Sequence, residues 1–275
     1  MVLRSKTIGD DLPACVMGVI NCSPESFYKP SVKTGSKNLS EYALKIIEDG
    51  ADIIDIGAAS TAPASIYPDS EYVSEGVELQ RIEESLPVLR NLTDIPISVD
   101  TMRAKVADKA LRLGADILND VSGLKKDKNM LKVLRDYSPN LVIMASNREP
   151  GDVRTLQELI SSIRDSVKLA LDAGVEESKI IIDPGLGFGK SLDFNIQILK
   201  NIHLLKAFRK PILVGVSRKS FLKAAVNSNL DQDVATASIT ATVIAILNGA
   251  HIIRTHDVRE IKISSKFISR YRESK

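Results

Sequence analysis

The stretch IIIDPGLGFGK, residues 180–190, decides the fold. Three β-branched apolar residues run into Asp183, Pro184 follows, and Gly185, Gly187 and Gly189 then alternate with Leu186 and Phe188. A short continuous apolar run bounded by Pro and Gly is the pattern of a strand buried on both faces, as in a parallel sheet. Pro184 keeps the residue before it out of helical geometry, so Asp183 stands at the carboxyl end of the strand. Glycines after it allow tight turns and close approach of backbone to a ligand. The spacing G-x-G-x-G is not the dinucleotide fingerprint, and no acidic strand end follows about 20 residues on, which argues against a nucleotide cradle of that type.

Runs of the same kind occur along the whole chain: ACVMGVIN (14–21), ADIIDIG (51–57), PISVDT (96–101), ADILNDV (115–121), LVIMAS (141–146), KIIIDPG (179–185), PILVGVS (211–217) and AHIIRTHD (250–257). Helical patterns separate them. Leu156, Leu159, Ile160, Ile163, Val167 and Leu171 fall at helical spacing, with Thr155 and Glu158 as a capping box and Gly174 as a stop. Thr101 to Gly114 leaves room for one helix carrying Val106, Ala110 and Leu113. Eight βα units with no dividing linker predict a TIM (β/α)8 barrel, a single α/β domain over residues 1–275, with a doubly wound sheet as the alternative. The longest irregular stretches, 22–38 and 58–69, follow the first two strands and are expected to be the most mobile parts, on the ligand face.

In such a barrel chemistry sits where strands end. Those ends carry Asn21, Asp55, Asp100, Asn119 with Asp120, Met144 with Ser146, Asp183, Ser217 with Lys219, and Arg254 with His256. Burying one such group unpaired costs about 1–3 kcal/mol, so this many polar strand ends predict a polar pocket; Asp55 alone reads equally as an interior structural group. Asp100, Asn119 and Asp183 suit a flat heterocycle rich in N–H and C=O groups. Arg254, His256 and Asn21 suit phosphate or a metal, and Lys219 adds a point charge. No Ser-His-Asp order and no HExxH occur, and His203 and His251 read as surface or packing residues.

Of the 275 residues, 44% are hydrophobic and 26% charged, and the net charge is +2. That is ordinary for a globular protein and too little charge for a general nucleic-acid binder. The apolar runs are too short for a membrane-spanning helix. The N-terminal MVLRSKTIGDDLP lacks the apolar core of a signal peptide, so a cytoplasmic location is expected. Cys15 and Cys22 make neither a disulfide framework nor a zinc site; Cys15 reads as a small core residue, and Cys22, at a strand end, as open to solvent.

The motifs MGVINCSPESF (17–27), IDIGAAST (54–61), ISVDT (97–101), ILNDVSGL (117–124), DPGLGFGKSLDFN (183–195), VGVSRKSF (214–221) and GAHIIRTHDVRE (249–260) together resemble the dihydropteroate synthase family, in order from residue 17 to about 260. The resemblance implies a transferase of folate biosynthesis that joins 6-hydroxymethyl-7,8-dihydropterin diphosphate to p-aminobenzoate or a related arylamine and releases diphosphate, with Mg²⁺. It implies Asp100, Asn119, Asp183 and Lys219 as pterin-binding residues, and Asn21, Arg254 and His256 as the diphosphate site, Asn21 also near the metal. Six of these, Asn21, Asp100, Asp183, Lys219, Arg254 and His256, form the catalytic set. Ser220 and Phe188 match positions beside the arylamine, and Met144, Ser217 and Thr61 complete the substrate-binding set. Small-molecule substrates, no nucleic acid, no membrane and a homodimer are the expected partners.

Three departures surround the second substrate. Ser60-Thr61-Ala62-Pro63 stands where the family has Ser-Thr-Arg-Pro; Ser26-Phe27-Tyr28-Lys29-Pro30-Ser31 where it has Ser-Phe-Ser-Asp-Gly-Gly; and Met144-Ala145-Ser146-Asn147-Arg148-Glu149 where it has Met-His-Met. The pterin half is intact and the acceptor half is not. A pterin-dependent methyltransferase and a non-catalytic pterin-binding homologue are therefore the alternatives, although methyl transfer has no use for a retained diphosphate site.

Overall fold

A computed structural model of the chain describes residues 1–4, 6–22, 36–59 and 73–274. It contains β1 (Val2–Leu3), β2 (Lys6–Thr7), β3 (Cys15–Asn21), β4 (Ile53–Gly57), β5 (Ile97–Asp100), β6 (Ile117–Asp120), β7 (Asn140–Met144), β8 (Ile180–Asp183), β9 (Leu213–Val214) and β10 (Ile252–Thr255). Outside the strands lie α1 (Ser36–Glu48), α2 (Glu75–Leu92), α3 (Ala104–Arg112), α4 (Met130–Tyr137), α5 (Leu156–Asp172), α6 (Leu192–Lys200), α7 (Ser220–Val226), α8 (Asp231–Leu247) and α9 (Val258–Glu273). β3 to β10 form one parallel sheet in the order β8-β7-β6-β5-β4-β3-β10-β9, and a parallel bridge between Ile182 and Ile212 closes it. The architecture is the predicted TIM barrel. All eight expected runs supply its strands; the seventh is reduced to two residues, with a turn at 217–218 beyond it. What was expected of the stretches at 23–35 and 60–69 lies outside the described residues.

β8 shows how one strand serves both faces. Ile180 and Ile182 join the layer between barrel and helices, while Ile181 joins a second cluster inside the barrel. Cys15, Met17, Ile53, Ile117, Val142, Leu213 and Ile252 complete that interior floor, and Leu3 and Ile8 close it from below. Side chains alternate along a strand, so the next inward residues above the floor are Asp55, Asn119, Asp183 and Arg254. Beneath the floor, Asp52 accepts from Lys6 Nζ (2.9 Å), Lys262 Nζ (2.6 Å) and Val16 N (3.0 Å), tying the N-terminal hairpin, α9 and β3 together.

Local rules explain the helix ends. Thr155 Oγ1 accepts from Glu158 N at 3.1 Å, and Gly174 takes φ +89° after α5. The Glu158 carboxylate reaches Arg154 N at 2.8 Å rather than the N-H of Thr155, so the capping box closes one residue further out. No single helix among the described residues is long and apolar enough to cross a membrane.

Ile181 is fully buried at the centre of the floor. Ile181→Ala is expected to cost about 2–5 kcal/mol, from lost transfer energy plus a residual cavity. Urea unfolding reads this directly, and a loss below about 0.5 kcal/mol would show that the floor is not a packed core.

Candidate active site

One pocket of about 400 Å³ opens above the floor at the carboxyl ends of the strands. Asp100 ends β5, Asn119 lies on β6, Asp183 ends β8 and Arg254 lies on β10; Ser217 and Lys219 come from the turn after β9, His256 follows β10, and Phe188 comes from the glycine loop. All eight were expected site residues, and they line the same cavity. Val19, Val121 and Gly215 also line it; each lies two residues from an inward position, and that parity was available in the sequence. Asn21 ends β3 in register with Gly57. Met144 is fully buried, and a Cβ on Gly185 would stand 2.9 Å from its sulfur, so it backs the glycine loop from below. Ser220 opens α7. Thr61 lies outside the described residues, as do Ala62 and the sequence Tyr28-Lys29-Pro30.

Arg254 is the hub. Its Nε donates to Asp55 Oδ2 at 2.7 Å and its Nη2 to Asp100 Oδ2 at 3.2 Å, so one guanidinium links three strands. Asp55, which the sequence left between a structural and a site role, positions Arg254 from beneath the pocket. Two carboxylates on one cation leave surplus negative charge out of water. Burial pushes the Asp100 carboxyl up to about 7, with Arg254 pulling it back and Asp55 adding to the rise. Burial raises Asp183 as well, opposed by the Gly185 N–H and by Lys219. Burial pushes Lys219 down to about 7, Arg254 adding to the fall. His256 falls well below the usual histidine range through burial and then the charge of Arg254, so it is a neutral hydrogen-bonding group; its Nδ1 lies 3.1 Å from Ser217 Oγ.

Two glycine N–H groups of the loop are engaged internally rather than left for an anion. Gly185 N donates to Asp183 Oδ1 and Gly187 N to Asn195 Oδ1, both at 2.7 Å. Gly187, at φ +74°, is required by a close approach: a Cβ there would meet Lys219 Cγ and Cδ at 2.7 Å. The lysine stem lies against that backbone, and its ammonium sits 3.8 Å from the centre of the Phe188 ring, within cation–π range.

The turn after β9 is strained for a reason. Arg218 adopts φ +56°, its N–H donates to Ser238 Oγ at 2.9 Å, and its guanidinium holds Asp257 at 2.6 and 3.2 Å. With Arg218 pinned outside, its neighbours Ser217 and Lys219 both reach the pocket; strain of this kind persists only where surrounding contacts enforce it. Asn119 Oδ1 and Asp55 Oδ1 are buried acceptors without a partner among the described residues. After β7, the Asp152 carboxylate accepts from the N–H groups of Asn147, Arg148 and Glu149 (2.7–3.2 Å) and fixes the loop that departs from the family motif, leaving Arg148 exposed. Cys22 differs from expectation: it is 6% exposed, and burial pushes its thiol up to about 11, so it is an inert core residue.

The model of the family described as "pterin binding enzyme" matches residues 17–256. The chain is 36% identical over 268 residues to the dihydropteroate synthase of Clostridium beijerinckii, covering 97% of both chains. The chain belongs to the dihydropteroate synthase family. Its structure superposes on the dihydropteroate synthase of Clostridium difficile, solved in the presence of pteroic acid, with a TM-score of 0.84 and 35% identity, covering 96% of this chain and 98% of the other. It superposes on the Yersinia pestis enzyme, solved with a sulfonamide drug, with a TM-score of 0.90 and 29% identity over 100% and 99% of the two chains. The chain is thus an enzyme of the transferase type that dihydropteroate synthases represent.

The charge cluster yields a signed prediction. Arg254→Met leaves Asp55 and Asp100 buried without their cation, at a cost of about 3–5 kcal/mol in urea unfolding at pH 8. The folded pKa of Asp100, about 7, lies above its ordinary value of 3.8, so the folded state takes up a proton first as pH falls. The penalty is therefore expected to shrink at pH 5.5. An equal or larger loss at pH 5.5 would contradict the cluster.

Proposed function

We propose that the chain condenses 6-hydroxymethyl-7,8-dihydropterin diphosphate with p-aminobenzoate or a related arylamine, releasing diphosphate, in folate or modified-folate biosynthesis. The observation that carries this is the convergence of Asp100, Asn119, Asp183 and Lys219 with Arg254 and His256 on one cavity. It supports the synthase over a methyltransferase, because methyl transfer releases no diphosphate for Arg254 and His256 to receive.

Each residue then has a task. Asp183 and the unpartnered Asn119 Oδ1 accept from the amino-pyrimidinone edge, and such charge-assisted bonds contribute about 1.5–3 kcal/mol each. Asp100 stands beside the ring and beside Arg254. Phe188 and Lys219 cover its face. Arg254, with Ser217 and neutral His256 as hydrogen-bonding groups, receives the diphosphate as the C–O bond breaks. Stabilising that developing anion with prearranged charge is often the largest catalytic contribution. Asp100 and Asp183 favour the cationic pterin left behind. The arylamine nitrogen then forms the new C–N bond and loses its proton; no covalent enzyme intermediate is needed.

The residues present fit Mg²⁺. Asn21 offers a neutral amide oxygen, and Gly57 keeps the approach open: a Cβ there would stand 3.2 Å from Asn21 Oδ1. No cluster of three His, Cys, Asp or Glu residues forms a cage among the described residues, and a sparse all-oxygen offer suits an ion that takes its remaining ligands from water and substrate phosphates. Asn21 would hold it, and a bound Mg²⁺ supplies charge neutralisation of the leaving diphosphate.

The acceptor side rests on the loops. Arg148, exposed on the loop fixed by Asp152, is the cation we assign to a phosphorylated arylamine. The test measures diphosphate release from the pterin diphosphate with p-aminobenzoate, with a ribosylated aminobenzene phosphate and with neither, in wild type and Asp183→Ala. Acceptor-dependent release, lost in the variant together with calorimetric pterin binding, is expected. Pterin binding without release in any arm would favour a non-catalytic binding protein, and unchanged pterin affinity in Asp183→Ala would refute the assignment.

A cytoplasmic homodimer is part of the same proposal. Ile263, Phe267 and Tyr271 are 59–72% exposed at four-residue spacing on α9, and Ile244 and Leu247 are exposed on the adjoining α8. One face of a helix carries residues so spaced, and a second copy would cover it. Phe267→Glu is expected to shift light-scattering mass from dimer to monomer without lowering the melting temperature; a monomeric wild type would end this part of the proposal.

A further inference from the structure

Lys190 closes the glycine loop that follows β8. Its side chain is buried, and its Nζ donates to Gly185 O at 2.7 Å. Gly185 also gives its N–H to Asp183 Oδ1 at 2.7 Å. One residue, at φ +69°, thus takes the ammonium on its carbonyl and the pocket carboxylate on its N–H. At that φ any side chain is strained, and a Cβ would also crowd Lys190 Nζ at 3.0 Å and the Met144 sulfur at 2.9 Å. Asn195 completes the clamp: its Oδ1 accepts from Gly187 N at 2.7 Å, and its Nδ2 donates to Lys190 O at 3.0 Å and Ser191 O at 2.9 Å. From outside, Arg154 Nη1 donates to Gly189 O at 2.9 Å.

A buried ammonium on a carbonyl is a costly way to hold a turn, because a neutral amide would make the same bond with far less desolvation. Among the described residues, Lys190 has no carboxylate in hydrogen-bonding reach. The charges that face it are Asp183 and Asp152, which favour the cation, and Arg154, which opposes it; burial pushes it down to about 8, so it stays protonated at neutral pH. The groups facing Asp183 are the Gly185 N–H, Lys219, Lys190 and Arg254. Lys219 and Arg254 border the cavity and have ligand to meet. Lys190 does not line it, so its charge serves Asp183 whether or not ligand is bound.

We propose that Lys190 is a positioning residue for Asp183: its charge favours the ionised ligand-facing carboxylate, and its bond to Gly185 O holds the loop that caps that carboxylate and carries the Phe188 ring. The proposal rests on the pterin reading of the pocket for its consequence, but its physical core is tested without ligand. Lys190→Gln keeps a donor for Gly185 O and removes the charge; Lys190→Met removes both. Carbon-13 NMR of the Asp carboxyls, titrated in the ligand-free protein, is expected to show Asp183 taking its proton at higher pH in Lys190→Gln than in wild type, by about half a unit or more. Affinity for 6-hydroxymethylpterin, measured by calorimetry at pH 7.5, is expected to fall about tenfold, with an unchanged melting temperature. A purely structural lysine would leave the Asp183 titration where it is, and that result in the Gln variant overturns the proposal even if Lys190→Met fails to fold. A shifted Asp183 in a protein that ignores the pterin would support the coupling while refuting the function proposed above.

Discussion

The buried guanidinium of Arg254 is the constraint on which the site depends. It stands on β10 and bonds Asp55 on β4 and Asp100 on β5. A barrel closed by backbone ladders alone has no preferred arrangement of polar groups in its upper interior. Here a planar fork with fixed donor directions meets carboxylates from two other strands, and each must keep its inward parity for the bonds to form. A one-residue slip of β4 would turn Asp55 outward and leave the cation with Asp100 as its one carboxylate partner among these two. The apolar floor below stabilises the barrel without regard to such detail, and the charge cluster above it makes one register the acceptable one.

The glycine loop follows the same logic with backbone in place of side chains. Positive φ at Gly185 and Gly187 lets the chain fold back far enough for Asp183 to be capped by its own loop and for Lys219 to lie against Gly187. Asn195, from the first turn of α6, fixes this turn from eight residues further along the chain. The loop is therefore rigid scaffold on its outer side and ligand wall on its inner side, which is why Phe188 alone among its larger side chains reaches the cavity.

The fold was legible because eight apolar runs each need two covered faces and the intervening segments are long enough for one helix. The site was legible because strand-end polar groups in a parallel barrel have nowhere to go except one end. What stayed hidden depended on contacts distant in sequence. Asp55 meets Arg254 across 199 positions, and nothing near Asp55 announces that partner. Cys22 looks like a loop residue, yet α2 brings Ser85 and Arg81 over it. Val19, Val121 and Gly215 were missed by reading only polar residues, when inward parity would have included them. Lys190 reads as the end of a motif until the loop folds back to put its ammonium on Gly185.

Within the pocket, burial drives groups of opposite sign toward neutrality: Asp100 and Asp183 upward, Lys219 and His256 downward. Each direction marks charge the protein holds out of water at a cost, and together they leave the cavity less polarised than its residue list suggests. A ligand with an N–H edge and an anionic tail acts on both halves. The edge favours ionised carboxylates, and the tail favours protonated lysine and histidine, so binding restores charge where the fold alone suppresses it. The stability given up by burying these groups in the free protein is returned on binding, and most fully by the species whose charge separation is greatest. In the proposed reaction that species is the one in which the pterin has become cationic and the diphosphate is departing. Differential stabilisation of that kind accelerates a reaction, and here it follows from placing carboxylates on β5 and β8 and cations on β10 and the turn after β9, around one small cavity.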